Sequence, residues 1–260
     1  MRRNAMKMVA YIAFCGTLVF VSAIAMAQGK TDEPQKGASS SSSTPSTNSV
    51  NKFRQLGVPT KEMIPGLLKD LASQNEVVRL DAVETLSELG NEATSAIPSL
   101  INMLHDKDPL VRGTTALALA GFGPKAAPAI PELIKSLGDE NRRVREGASL
   151  ALENIGQAAV DPLMQVLKRG RGQDVDLAIQ ALSRIGKAAE QPLLAAFESK
   201  DEKTARAASM ALTMMGPIPV DSLVKLLTGG DPKLAQRAED TLTAIGVPAI
   251  PALIKALRAR

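Results

Sequence analysis

One stretch of the sequence decides the fold: residues 108–137 read DPLVRGTTALALAGFGPKAAPAIPELIKSL. After the opening Asp-Pro, apolar residues recur every three or four positions, which is the pattern of an amphipathic helix with an acidic N-cap and a proline in its first turn. A glycine follows this segment, and a second apolar segment begins with Ile-Pro. The stretch therefore predicts the second helix of one unit, a connection, and the first helix of the next unit.

Two series of identical residues repeat this pattern along the chain. Each predicted first helix contains a leucine, and each predicted second helix ends at a glycine. The leucines are Leu67, Leu100, Leu133, Leu163, Leu193, Leu223 and Leu253, and the glycines are Gly90, Gly123, Gly156, Gly186, Gly216 and Gly246. Successive units are 33 residues apart at first and 30 residues apart later, while the leucine-to-glycine distance stays at 23. Insertions confined to the connections are typical of stacked two-helix repeats.

The turn and the second helix repeat as well. Five of the six turns have Asn or Asp at the N-cap position, namely Asn75, Asp108, Asn141, Asp201 and Asp231, whereas the fourth has Arg171. The second helix has apolar residues twelve, eight, five, four and one positions before its glycine, and in the third unit these are Val144, Ala148, Ala151, Leu152 and Ile155. This is one packed face of a helix, and we expect the glycine to close it as a left-handed C-cap.

The units resemble the short HEAT-type repeats named after phycobilisome lyases over about residues 60–257. The Val-Arg pair of that family is present at Val78-Arg79, Val111-Arg112 and Val144-Arg145, but the later units have Asp174-Val175, Thr204-Ala205 and Leu234-Ala235. The resemblance implies that these arginines bond to loop acids of neighbouring units, and that the C-terminal half lacks such bonds. We predict an all-α fold, a right-handed α-solenoid of stacked two-helix HEAT-like repeats.

The first 50 residues have a different composition. A basic segment up to Lys7, an uncharged apolar run and an Ala-Met-Ala site predict a secretory signal peptide over residues 1–27. Residues 8–27 are also long enough to span a bilayer, so an N-terminal membrane anchor is the alternative. Both interpretations place the body outside the cytoplasm, as a periplasmic or extracellular protein. Residues 28–50 predict a disordered Ser/Thr-rich linker, and residues 51–260 predict the repeat domain, with six two-helix units and a C-terminal capping helix.

The composition argues against several kinds of site. With one histidine, His105, and one cysteine, Cys15, a single chain cannot assemble a His/Cys metal site or a Cys-His dyad. Aromatic residues make up 2% of the chain, and residues 28–260 hold 28 basic against 27 acidic residues, so neither stacking platforms nor an electrostatic footprint for nucleic acid is expected. We interpret Asp106 and Asp108, beside His105, as a helix end followed by an N-cap. We therefore predict no catalytic residue, no metal and no cofactor.

Repeat arrays of this kind bind other polypeptides along the face formed by their second helices. Positions six and ten before each glycine should point into that groove. The apolar residues six positions before the glycine are Leu117, Leu150 and Met210, with Met214 one turn further, and we predict that they contact a partner. The alternative is a wider buried stripe that includes them.

A second candidate surface is basic. It begins at Arg142, Arg143 and Arg145 and continues at Lys168, Arg169 and Arg171, and the alternative is ordinary solvated charge. The sequence thus predicts an exported, non-catalytic scaffold for a protein or peptide partner. The alternative is a lyase-like or cofactor-handling protein related to the HEAT-repeat bilin lyases.

Overall fold

A computed structural model describes residues 60–169 and 172–258 of the 260-residue chain. The predicted signal peptide or anchor, the predicted linker and Arg171 lie outside the described residues. Within those two ranges the regular structure consists of α-helices and short 3-10 helices, without a strand. The all-α solenoid predicted from the sequence is confirmed.

The described α-helices form six pairs, called units one to six, followed by a single helix. The first three pairs are α1 (Ile64–Asp70) with α2 (Glu76–Leu89), α3 (Ile97–Met103) with α4 (Pro109–Gly121), and α5 (Ile130–Ser136) with α6 (Arg142–Ile155). The next three are α7 (Gln157–Arg169) with α8 (Gln173–Ile185), α9 (Lys187–Phe197) with α10 (Glu202–Met214), and α11 (Val220–Thr228) with α12 (Pro232–Ile245). Helix α13 (Ile250–Arg258) ends the described chain.

The repeated leucines form the core of the stack. The first-helix leucines are all within 1% of complete burial, and the leucines four residues before the glycines are completely buried in all six units. The second-helix stripe is wider than predicted, because Gly147 and Ser149 of α6 are buried beside Ala148 and Leu152. The two helices of each unit thus pack on each other, and each unit packs on its neighbours in the stack.

Four of the six repeated glycines, Gly90, Gly156, Gly186 and Gly246, are the C-caps of their second helices, whereas Phe122 and Met215 have that place in units two and five. All six have the predicted positive φ. At the four C-cap glycines the predicted left-handed helical conformation is wrong, because ψ lies between −123° and −136°, which is the mirror image of an extended strand residue. Glycine adopts that region without the steric cost of a side chain. Helices α7 and α9 begin directly after Gly156 and Gly186, so these two glycines form corners between two helices.

The difference between 33-residue and 30-residue spacing also has a structural explanation. The two early connections contain seven-residue 3-10 helices, Gly90–Ala96 and Gly123–Ala129. In units four and five, a regular first helix starts directly after the glycine instead. The length change is therefore confined to the connection.

The predicted N-caps are confirmed in five turns. In each, the Asn or Asp side chain accepts a hydrogen bond from a backbone N–H of the first helical turn, for example Asp108 Oδ1 from Leu110 N at 2.7 Å. In the fourth unit, Gly172 is the N-cap of α8 and supplies no side-chain bond.

The second helices lie on the inner side of the stack. Second helices of successive units contact each other more extensively than the first helices do. Elements on the inside of a curved array are the more closely spaced, so the second helices form the concave face.

No single helix in the described ranges is long and apolar enough to cross a membrane. Helix α12 and the segment Val247–Arg258 together have the length and composition of a membrane span. The chain bends by 119° between them.

Candidate partner-binding groove

A groove crosses the second helices of units two, three and four. Its cavity has a volume of about 630 Å³. The apolar lining consists of Leu110 and Leu117 from α4, Leu150 from α6 and Leu177 from α8. Charged and polar side chains surround it, namely Arg143, Glu146, Gln180 and Arg184.

The apolar character of the groove comes from the sequence of α4. Its one charged residue, Arg112, points to the loop side and pairs with Asp139. On the open side, Leu110 is 43% exposed and Leu117 is 51% exposed. The solvent face of a surface helix is usually polar, so exposed leucines seven residues apart on one helix are unusual.

Two glycines bring α4 and α6 close together behind the groove. A Cβ atom at Gly147 would lie 3.0 Å from the Cβ of Ala116 and 3.2 Å from the carbonyl oxygen of Gly113. Gly113 and Glu146, ten positions before their glycines, both line the groove, although Gly113 itself is buried. The side chain of Leu117 lies over Gly147, where the added Cβ would be 3.5 Å from its Cγ. The missing side chains therefore let Leu117 rest against α6.

The structure brings together three of the six predicted contact residues. Leu117, Leu150 and Arg143 all line the groove. Leu117 is exposed as predicted. Leu150 is partly buried: it lines the groove, as predicted, and it also packs against the core, as the alternative of a wider buried stripe requires.

The other three predicted residues lie elsewhere. Met210 is exposed and lines a smaller cavity, about 330 Å³, between α10 and α12. Met214 is exposed near the end of α10 and lines neither cavity. Arg142 is exposed and its Nε lies 2.7 Å from Glu146 Oε1, which is the solvated surface pair of the alternative interpretation.

The sequence reasoning missed Leu110 and Leu177. Leu110 lies thirteen residues before its glycine, and the equivalent residue of unit one, Val77, is 67% exposed. An apolar residue at this position in two successive units is a sequence signal, because the same position is charged or polar in the remaining units.

The arginine bonds implied by the HEAT resemblance join units one, two and three. Arg79 donates to Asp106 through Nε at 2.6 Å and Nη2 at 2.8 Å, and both side chains are only 6% exposed. Arg112 binds Asp139 in the same two-bonded way, at 2.9 Å and 3.0 Å. Such planar, two-bonded pairs fix the relative orientation of the groups they join.

These bonds determine the protonation of both aspartates. Burial by itself would raise the pKa of Asp106, but hydrogen bonds from Arg79 and from the backbone N–H of Asp108 outweigh it and lower the pKa. The pKa of Asp139 is lowered in the same way, with burial opposed by Arg112 and the backbone N–H of Asn141. Both carboxylates are therefore ionised in the folded chain at neutral pH.

Comparison with known proteins identifies the repeats. The family model for HEAT repeats matches residues 64–130 and 97–183. Residues 64–183 therefore contain HEAT-like repeats. A comparison with curated proteins found no significant match.

Solved structures of other repeat proteins are similar to the chain. One is the archaeal HEAT-like repeats protein from Thermococcus onnurineus NA1, with 12% identity, a TM-score of 0.45, and coverage of 80% of this chain and 100% of that chain. Another is the complex of CpcE and CpcF of phycocyanin lyase from Nostoc sp. PCC7120, with 22% identity, a TM-score of 0.42, and coverage of 77% and 94%. A designed armadillo repeat protein has 19% identity, a TM-score of 0.38, and coverage of 70% and 99%.

Within the HEAT-like array, the acids beside His105 have structural roles. Asp106 pairs with Arg79, and Asp108 caps α4. His105 itself is exposed, with Nε2 at 2.8 Å from Glu132 Oε2. The interpretation of a helix end followed by an N-cap is thus confirmed. Among the described residues, no group of three or more His, Cys, Asp or Glu side chains could hold a metal ion.

Proposed function

We propose that this chain is a non-catalytic scaffold that acts outside the cytoplasm and binds a partner polypeptide in the groove of units two to four. The observation that carries the proposal is the uncharged outer face of α4, with Leu110 and Leu117 exposed on the concave side. Exposed apolar residues on a concave surface, surrounded by polar ones, are typical of a protein interface.

The groove favours a helical or extended segment with apolar and acidic side chains. Leu110 and Leu117 are about 10 Å apart along α4, which is two helical turns. A partner with apolar residues at the same spacing can contact both. Arg143 stands at the edge of the groove, and among the described residues no carboxylate pairs with it. An acidic side chain of the partner would supply that missing charge and favour one orientation.

The binding test uses one substitution in the groove and one outside it. Leu117→Glu places a charge in the apolar lining and should abolish crosslinking to the partner in the cell envelope. Asn102→Glu, on the exposed side of α3, is the matched control and should leave crosslinking unchanged. Both variants should melt like the original chain, since both sites are exposed. Equal crosslinking by all three proteins would contradict the proposal.

Action outside the cytoplasm rests on the N-terminal sequence. The basic segment, the apolar run and the Ala25-Met26-Ala27 site have the order of a secretory signal. The intact mass of the native protein tests this directly: a chain that begins at Gln28 supports cleavage, and a chain that begins at Met1 contradicts it. A Met1 chain found in the membrane fraction would support the anchor formed by residues 8–27.

The non-catalytic part of the proposal has a spectroscopic test. A scaffold purified from its native source should show no visible absorption. Bilin or haem absorption that persists through purification would contradict it and favour a cofactor-handling role.

A further inference from the structure

Helix α10 exposes two methionines on its open face. Met210 and Met214, one helical turn apart, are 50% and 53% exposed. The other methionines of the described ranges are buried or partly buried. Methionine is flexible and polarisable, and exposed methionines on neighbouring turns are typical of surfaces that bind other polypeptides. The two side chains are therefore a contact surface without a partner in the described chain.

Polar residues separate these methionines from the groove of units two to four. In unit four, the residues equivalent to Met210 and Met214 are Gln180 and Arg184, which belong to the polar edge of that groove. In unit six, the residue equivalent to Met210 is Asp240. The methionine pair is therefore a surface of its own.

Arg206 lies one turn before Met210 on the same face and is exposed. The acid of this face, Glu202, is already occupied, because Lys233 Nζ and Arg237 Nη2 of unit six both lie 3.2 Å from its Oε2. Arg206 forms no ion pair with any described carboxylate. Its positive charge is thus available to a partner.

A cavity of about 330 Å³ opens between α10 and α12 beside these residues. Arg206 and Met210 line it from α10, and Asp240 and Ala244 line it from α12. In this part of the described chain Asp240 does not pair with Arg206, and its Oδ1 accepts a hydrogen bond from Gln236 at 3.0 Å. The volume is at the lower end of the range for ligand sites, so it fits a side chain better than a cofactor.

Arg206, Met210 and Met214, called the α10 stripe, are four residues apart in sequence and lie on one face of the helix. We propose that the α10 stripe is a second docking surface, for an α-helical segment of a partner polypeptide that lies antiparallel to α10. The segment has two apolar side chains four residues apart and a carboxylate four residues closer to its C-terminus.

The antiparallel order follows from charge. Arg206 lies toward the N-terminal, positive end of α10, so the acidic C-terminal end of a partner helix fits there. The apolar side chains then meet Met210 and Met214. Because Met210, Met214 and Arg206 do not line the groove of units two to four, the docking surface is independent of the proposed function.

The probe is an alanine-rich peptide of about 16 residues with blocked ends, which is long enough to form a helix. It has leucine at its fourth and eighth positions and glutamate at its twelfth. One control peptide has glutamine in place of the glutamate. A second control has the reverse order, with glutamate four residues before the two leucines.

Binding is followed by NMR on the full chain, labelled with ¹³C in its methionine methyl groups, at low salt. The probe should shift the methyl resonances of Met210 and Met214 in a saturable way. The glutamine peptide should bind about threefold more weakly, because it lacks the exposed ion pair with Arg206. The peptide of reverse order should bind no better than the glutamine peptide.

Three variants separate the stripe from general attraction. Arg206→Gln should remove the difference between the probe and the glutamine peptide. Met214→Gln should weaken the binding of both peptides by about tenfold, because it removes apolar contact area. Lys225→Gln, at an exposed position of α11, is the matched control for Arg206→Gln and should leave the threefold difference unchanged.

Several outcomes would overturn the proposal. One is a pair of Met210 and Met214 resonances that do not respond to the probe, and another is equal binding of the probe and either control peptide. Loss of the response in Leu117→Glu would place the peptide in the groove of units two to four instead. Vesicles of anionic phospholipid are the remaining probe: a shift with vesicles and none with the peptide would replace the polypeptide by a membrane surface.

Discussion

Leu152 and Leu150 lie two positions apart on α6 and have different surroundings. Leu152 is fully buried between helices, Leu150 is partly buried at the groove, and Leu117 on α4 is half exposed. Leu152→Ala should lower the free energy of unfolding by about 2 to 5 kcal/mol because it leaves a cavity. Leu150→Ala should cost about 1 kcal/mol, and Leu117→Ala less than about 0.5 kcal/mol. Chemical denaturation of the three variants measures this order, and a Leu117 variant as unstable as the Leu152 variant would contradict the described burial.

Replacement by alanine should have different effects on stability at the two glycines behind the groove, Gly113 and Gly147. Gly113→Ala adds a Cβ with ordinary contacts of 3.5 Å and longer, so better helix propensity should stabilise the chain by up to about 1 kcal/mol. Gly147→Ala adds a Cβ at 3.0 Å from that of Ala116, so α4 and α6 must separate and the gain should be lost. Thermal melts of the two variants compare them directly. A Gly147 variant as stable as the Gly113 variant would argue against close helix contact at this point.

At the scale of elements, the sequence predicts more about the helices than about the space between them. Burial of the repeated leucines and the five N-caps follow from residue type and spacing, because each is decided inside one unit. The groove depends on the distance between α4 and α6, which Gly113 and Gly147 set together from different units. The corner conformation of Gly156 likewise depends on where α7 begins, and periodicity within one helix does not determine that.

The bond between Arg79 and Asp106 joins two elements and makes their stability depend on pH. The pKa of Asp106 is lower in the folded chain than in the unfolded chain. Its ionised form therefore adds to the free energy of unfolding above the ordinary Asp pKa of about 3.9, and this contribution is lost as the pH falls from that value through the lower folded pKa. Asp106→Asn should cost about 3 kcal/mol at pH 7, because it leaves a buried arginine without its partner. The difference from the original chain should shrink in acid.

Urea denaturation between pH 7 and pH 2.5 measures this dependence. Asp161→Asn is the control, since Asp161 is exposed and no ion pair holds it among the described residues. The control should match the original chain at every pH. A cost of Asp106→Asn that stays constant into acid would show that the ion pair does not account for it.

At the scale of the whole molecule, stability is distributed along the stack, because each unit contacts mainly its neighbours. A chain truncated after Gly156 retains units one to three and the two-bonded bridges of Arg79 and Arg112. It should be helical by circular dichroism and should unfold cooperatively, at a lower temperature than the full chain. A random-coil spectrum from this fragment would be incompatible with nearest-neighbour stabilisation.

The five contacts between successive units, called joints one to five, differ in the polar bonds that cross them. Arg79 and Arg112 bridge the first two joints, Arg184 reaches Glu153 across the third, and Arg237 reaches Glu202 across the fifth. Across the fourth joint, between α7–α8 and α9–α10, the described side chains share neither a hydrogen bond nor an ion pair. Apolar surfaces slide with little directional resistance, whereas paired charges resist shear. Under tension applied to its ends, the molecule should therefore behave as two stiff segments joined by a compliant point, and bending should concentrate near Gly186.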